Sequence, residues 1–266
     1  MSRYIFDNAA QQAAQRFDSL ETLYDRRTIG FLEATGVGQG WHCLEVGGGS
    51  GSIARWLSDR VGPTGRVLVT DIDTRHLDAL AALGRPNLEL QRHDIGVDPL
   101  PENTFDLIHQ RLVLIHVPAR QQALGRLVAA LKPGGWLVVE DFDPTFIDRT
   151  FATGDPGATD LYRKMLTAQW RLMAERGFEA GWGRNLYRRL RDHGLVEVGM
   201  EGQLAVRPGG SPGALLDRAN FEQIRAEAVR AGLITDEEVD RVLAFLDDPD
   251  SASSSPVMMS AWGRKP

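Results

Sequence analysis

An apolar run that reaches a carboxylate, gives way to glycine and then resumes at helical spacing leaves a chain few folds to adopt. The stretch WHCLEVGGGSGSIARWL does this between Trp41 and Leu57. Leu44 and Val46 flank Glu45, glycine fills positions 47, 48, 49 and 51, and Ile53, Ala54 and Leu57 then recur on one helical face. Glycine in such a turn permits φ > 0 and lets backbone approach a ligand without an intervening Cβ, while the helix start offers unpaired N–H groups. The alternation continues downstream. Further β-type runs fall at 66–72, 88–94, 105–110 and 136–141, and segments of helical spacing lie at 52–60, 74–83 and 118–131. Strand and helix in alternation predict parallel strands joined by right-handed crossovers, with helices on both faces. Such a sheet places its ligand outside the carboxyl ends of its strands. The residues at those ends are Glu45, Asp71 with Asp73, Asp94, Gln110 with Arg111, and Glu140, Asp141 and Asp143.

Charge and cysteine content narrow the function classes. A formal net charge of -6 and a pI near 5.6 supply no attractive field for a nucleic-acid backbone or an anionic membrane. No apolar run approaches the roughly 18 residues of a bilayer span, and the opening MSRYIFDNAAQQAAQRFDSL lacks the layout of a signal peptide, so a cytoplasmic protein is expected. Cys43 is the single cysteine, which leaves no internal disulfide and no multi-cysteine metal site. In mid-strand it reads as a small hydrophobe.

Three nucleotide sites share a glycine-rich strand-to-helix turn. A phosphate loop of the Gly-Lys-Ser/Thr kind needs a lysine that is missing here. The dinucleotide pattern, laid on Gly47 and Gly49, meets Ser52 where a third glycine or alanine belongs. Glu-x-Gly-x-Gly-x-Gly fits on Glu45, Gly47, Gly49 and Gly51. A carboxylate beside bare backbone and a helix start suits a ligand carrying both an ammonium and an anion, as an amino acid does.

With these residues the chain resembles the class I S-adenosylmethionine-dependent methyltransferase family, in its small-molecule and quinone branch. The resemblance runs from about Gly36 to Asp143 through Glu45 to Gly51, VLVTDID, RHDI, LPENTFDLI and LKPGGWLVVED, in the family's order. It implies a Rossmann-like, doubly wound, mostly parallel seven-stranded sheet with a helical N-terminal lid and helical insertions. It also implies S-adenosyl-L-methionine as cofactor. Glu45 and the backbone of Gly47 and Gly49 would hold the methionine part, Asp71 the ribose hydroxyls, Ile72 the adenine face, Asp94 and the N–H of Ile95 the adenine edge, and Gln110 would sit near the sulfonium. Tyr4 and Tyr24 are candidate lid contacts.

The expected layout is a helical lid over 1–35 and a methyltransferase domain over 36–266, with substrate-covering helical insertions at about 144–193 and 207–256. The opening segment reads as helix from about 5 to 35; 157–176, 184–194, 214–231 and 235–246 read as helices, 196–206 and 257–263 as strands, and DDPDSASSS as a loop. Lys132-Pro133-Gly134-Gly135 reads as a turn, and His109 as a satisfied, partly buried histidine. Methyl transfer to a small apolar or aromatic acceptor of the secondary-metabolite, polyketide or quinone type, by in-line displacement, is the expected reaction. His116 is the first candidate base and Asp141 the second. No metal is assigned, although Glu140, Asp141 and Asp143 cluster. Neither a nucleic-acid nor a membrane partner is expected, and a homodimer stays open. Two other readings compete: a cofactor-binding protein with a regulatory or repurposed role, and a NAD(P)-dependent oxidoreductase.

Overall fold

The apolar run ending at Glu45 forms β1 (His42–Val46), buried along four of its five residues, as a strand covered on both faces must be. The computed structural model describes residues 12–149, 152–153 and 157–266, so Tyr4 lies outside the described residues. β1 pairs in parallel with β2 (Arg66–Asp71) on one side and with β4 (Phe105–Arg111) on the other. β3 (Leu88–Arg92) adds to β2, and β5 (Leu131–Asp143) adds to β4, both in parallel. With β7 (Val196–Gln203) and β10 (Val257–Arg264) the strand order is β3-β2-β1-β4-β5-β10-β7. The chain leaves β1 toward β2 and β3 and returns to β4 on its other side. The crevice for a ligand therefore opens at the β1/β4 switch point.

The helices on one face pack by the periodicity seen in sequence. α1 (Gln12–Ala34) contributes Leu32, α2 (Ser52–Val61) contributes Ile53, Ala54 and Leu57, and α3 (Asp78–Ala81) contributes Leu80 to a core with Cys43, Val67, Val69, Leu107 and Val138. Burial pushes the Cys43 thiol up, in keeping with its part in packing. α4 (Arg120–Ala130) buries Ala123, Leu124 and Leu127 and runs without a gap into β5. Lys132 to Gly135 therefore lie inside β5 as an irregularity: β4 advances from Phe105 to Leu107 while β5 advances from Leu131 to Trp136. The helix expected over 74–83 is a 3₁₀ turn, Arg75–Leu77, followed by the short α3.

Contacts divide the described chain into two units. The sheet unit comprises Tyr24–Phe142, Gly181–Gly202 and Met258–Pro266, and so includes α6 (Leu186–Asp192). The span 181–193, expected to belong to a covering insertion, is part of it. The reason is Trp182, fully buried there with its indole N–H donated to Asp141 at 2.9 Å. α1 is likewise divided, its residues from Tyr24 onward belonging to the sheet unit.

The second unit takes the chain up to Leu23, Asp143–Ala180 and Gln203–Val257. Its core joins α5 (Ala158–Ala174), α7 (Pro212–Arg230) and α8 (Asp236–Asp247) through Met165, Leu166, Met173, Phe221, Ile224 and Val242, with Trp170 and Phe178 against it. The Met and aromatic residues of 165–178 are thus core. β6 (Ala152–Thr153), β8 (Val206–Pro208) and β9 (Ala252–Ser254) form an antiparallel sheet with β9 in the centre. The strand expected over 196–206 is therefore two strands in different sheets. The serine-rich stretch expected as a loop contains a buried strand, its Ser253 and Ser254 nearly or wholly excluded from solvent.

Candidate functional site

Gly47, Gly49 and Gly51 all adopt positive φ, at 74°, 54° and 92°. The N–H groups of Gly47 and Gly48 both reach the carbonyl of Thr70, at 2.7 and 3.2 Å, which draws the turn over the end of β2. A Cβ at Gly47 would lie 2.2 Å from Val113 Cγ2, and one at Gly51 2.7 Å from Leu80 Cδ2. α2 begins with Gly51 at its N-cap and no side-chain cap, so its first-turn amides are left for another acceptor. Gly47→Ala combines a left-handed backbone with overlap against Val113. It is expected to lower unfolding free energy by about 2–3 kcal/mol, read from urea denaturation.

Behind this turn lies a buried polar network that sequence reading did not assemble. Glu45, only 3 % exposed, bonds through Oε2 to His109 Nδ1 at 2.7 Å, and His109 Nε2 lies 3.2 Å from Glu140 Oε2. Glu140 also accepts from Thr28 Oγ1 at 2.5 Å and Ser260 Oγ at 2.6 Å. Arg111 donates to Thr28 and to Asp25, so α1, β1, β4, β5 and β10 all contribute. His109 is fully buried rather than partly so. Burial pulls its basicity down, but Glu45 and Glu140 override that and raise it to about 9. For Glu140, burial pushes upward and is outweighed by His109, Arg111 and Ser260, so its carboxyl sits below the usual range. Burial dominates at Glu45 and holds it above that range, with His109 opposing. Nothing local marks Thr28 or Ser260, which stand 112 and 120 residues from Glu140 in the chain.

At the end of β2, the Asp71 carboxylate accepts from the N–H of Asp73 at 3.0 Å and lies 3.4 Å from His76 Nε2. Ile72 follows it, 56 % exposed. Asp73 is taken by Arg75, which bonds both of its oxygens and holds its carboxyl at about 2. Asp94 accepts from the N–H of Gly96 at 2.8 Å, a side-chain turn of the kind aspartate makes, and Ile95 is nearly buried.

At the end of β4 the side chains are tied into the protein's own bonds. Gln110, expected near the sulfonium, is fully buried and both ends of its amide are engaged. Its Nε2 donates to Asp141 at 2.9 Å, and its Oε1 accepts from the N–H groups of Val113 and Leu114. Period two explains this: Gln110 faces opposite to its neighbours His109 and Arg111. Asp141, also fully buried, takes Gln110 and the Trp182 indole on Oδ2, with the backbone N–H of Ile115 close to the carboxylate as well. Burial raises its carboxyl to about 7 against both donors. Leu112, between β4 and the 3₁₀ turn Leu114–His116, has φ of 58°, a conformation that costs a non-glycine residue strain. His116 is half-buried at the end of that turn, and Tyr24 packs edge-on against Phe142, centroids 5.9 Å apart. A groove of about 420 Å³ in the same unit, lined by residues including Phe31, Trp136 and Trp262, includes none of the strand-end residues.

A switch-point crevice bordered by a glycine turn, a helix start and the acids Glu45 and Asp71 near the ends of β1 and β2 is the arrangement that the resemblance to class I S-adenosylmethionine-dependent methyltransferases implies. Residues 44–139 match the family model for a methyltransferase domain. Over 116 residues the chain is similar to the ubiquinone/menaquinone biosynthesis C-methyltransferase UbiE of Pseudomonas savastanoi pv. phaseolicola (37 % identity, 42 % of this chain and 45 % of that one). It is also similar to the UbiE of an Enterobacter species, at 33 % over 138 residues, 48 % and 52 % of the two chains. The chain spans about half the length of the curated relatives it matches. Among solved structures, a SAM-dependent methyltransferase from Aquifex aeolicus superposes with a TM-score of 0.51 at 24 % identity, covering 73 % of this chain and 90 % of that one. A phosphoethanolamine N-methyltransferase from Haemonchus contortus, solved with S-adenosylhomocysteine, gives 0.62 at 15 %, covering 100 % and 60 %. These structures share the fold. No helix among the described residues is long and apolar enough to cross a membrane.

Proposed function

We propose that the chain binds S-adenosylmethionine at the β1/β4 crevice and transfers its methyl group to a small apolar or aromatic acceptor of the quinone, polyketide or secondary-metabolite type. The observation that carries the reading is Glu45. One of its oxygens is held by His109, the other carries no bond among the described residues, and the bare backbone of Gly47 and Gly49 follows at once. That arrangement fits the ammonium and carboxylate of an amino-acid moiety better than a pyrophosphate, and the quinone enzymes matched above support the acceptor class.

When bound, the cofactor supplies a methyl group already activated by its sulfonium. The chain's own residues have to hold two reactants in line and exclude water, and positioning of that kind contributes about 7–11 kcal/mol. In this proposal Glu45, the backbone of Gly47 and Gly49 and the first-turn amides of α2 hold the amino-acid end, Asp71 accepts from both ribose hydroxyls, Ile72 covers the adenine and Asp94 with the Ile95 N–H borders its edge. Gln110 acts at one remove, fixing the Val113 and Leu114 amides and with them the segment that carries His116. His116 takes the proton when an oxygen acceptor has to lose one. Asp141 is enclosed by its two donors and supports that segment rather than meeting an acceptor.

Isothermal titration of the purified protein should show S-adenosylmethionine binding in the micromolar range. A panel of quinols and phenols with the methyl-labelled cofactor should then show label transfer. Absence of binding would sink the reading, and binding with no transfer to any acceptor would remove the methyltransferase step.

A further inference from the structure

The buried network behind the glycine turn is larger than holding β1 to β4 requires, and it ends at the carboxylate assigned to the cofactor. Glu45 has no donor among the described residues other than His109. Glu140, in contrast, has Thr28 and Ser260 besides His109. The His109 imidazole bonds to both carboxylates at once, and rotation of either acid would cost it a charge-assisted bond in a buried site. Thr28 continues the chain of bonds from Glu140 into α1, where Arg111 also bonds Thr28 and Asp25.

We propose that His109 is a positioning residue for the amino-acid end of the cofactor: bridging Glu45 and Glu140, it holds one Glu45 oxygen in place and thereby aims the other at the ligand's ammonium. The inference rests on the cofactor reading above. In this arrangement Glu140, Thr28 and Ser260 anchor the far side of the imidazole, and Arg111, itself paired with Asp25, lies near enough to favour the charged form of both carboxylates. The role is specific to one part of the ligand. A ligand with the adenosine but no amino-acid end gains nothing from an oriented Glu45.

That specificity supplies the test. Titrations compare S-adenosylhomocysteine, which has the amino-acid end, with methylthioadenosine, which lacks it, on the unmodified protein and on His109→Asn. The variant is expected to bind S-adenosylhomocysteine about tenfold to a hundredfold more weakly, the range for losing one charge-assisted hydrogen bond, with methylthioadenosine affinity unchanged. Equal losses for both ligands, or none for either, would overturn the inference and leave the cofactor reading standing. Failure of the unmodified protein to bind either would remove both. Because His109→Asn leaves a buried acid short of a partner and can fail to fold, a second measurement uses the unmodified protein labelled with ¹⁵N-histidine. The His109 ring resonances should move on adding S-adenosylhomocysteine and stay in place with methylthioadenosine; a ring that responds to neither, or equally to both, would overturn the role.

Discussion

Under the proposed cofactor site, Asp71→Ala is expected to weaken binding of S-adenosylmethionine by about a hundredfold to a thousandfold, because the two hydrogen bonds that the ribose hydroxyls would make to the carboxylate are lost together. The fold should survive the change. Asp71 stands at the last position of β2, and among the described residues its carboxylate has only the Asp73 N–H at 3.0 Å and the longer approach to His76 as its bonds. Asp73, two residues on, is the control. Its oxygens are bound by Arg75 and its carboxyl is already held at about 2 by that pairing, so Asp73→Ala should change cofactor affinity little. Titration calorimetry on the two variants, with urea unfolding alongside, separates the effects. Unchanged affinity in Asp71→Ala would move the ribose site away from the end of β2.

That the contrast between Asp71 and Asp73 can be drawn at all shows which parts of the molecule are legible in sequence. Runs such as WHCLEV and FDLIHQ, apolar and bounded by turn residues, identify the central strands because strands buried on both faces carry their signal in every residue. The irregularity at Lys132 to Gly135 is hidden, since Pro and Gly in the middle of a strand are the usual signs of a turn. Val196 to Val206 is hidden for another reason. One continuous β-type run can leave one sheet at Gln203 and enter another at Val206, and only tertiary partners decide where. β9 goes unseen because a buried serine strand pairs through its backbone and shows no apolar side chains. The site divides the same way. Position at a strand end is a local property, so Glu45, Asp71 and Asp94 could be found from alternation alone. The direction of a side chain depends on register and on distant partners, so the burial of Gln110 and the bridging by His109 came only with the assembled sheet.

The stability of the protein should fall as pH rises from about 5 to 9.5, by up to roughly 6 kcal/mol from two buried groups. Asp141 has its carboxyl raised from 3.8 to about 7, chiefly by burial. The folded chain thus binds that proton more tightly than the unfolded one. Its contribution is full below 3.8 and is lost as pH rises through 7. His109 is raised from 6.5 to about 9, its two carboxylates overriding burial. Its contribution is full below 6.5 and is lost through 9. The two windows meet near neutrality, so the decline should be continuous rather than stepped. Glu140, held below its ordinary 4.5, works in the opposite sense: its contribution is present above 4.5 and disappears in acid, which places the maximum on the mildly acidic side. Asp141→Asn keeps an oxygen for the Gln110 and Trp182 donors but has no proton to exchange. In that variant the decline between about 5 and 7 should shrink, leaving what Glu45, raised by burial in the same sense, contributes, while the decline toward 9.5 persists. Urea midpoints measured across the range for both proteins check the assignment. A parallel pair of profiles would show that Asp141 does not titrate in this window, and a flat profile for the unmodified protein would show that water reaches both groups.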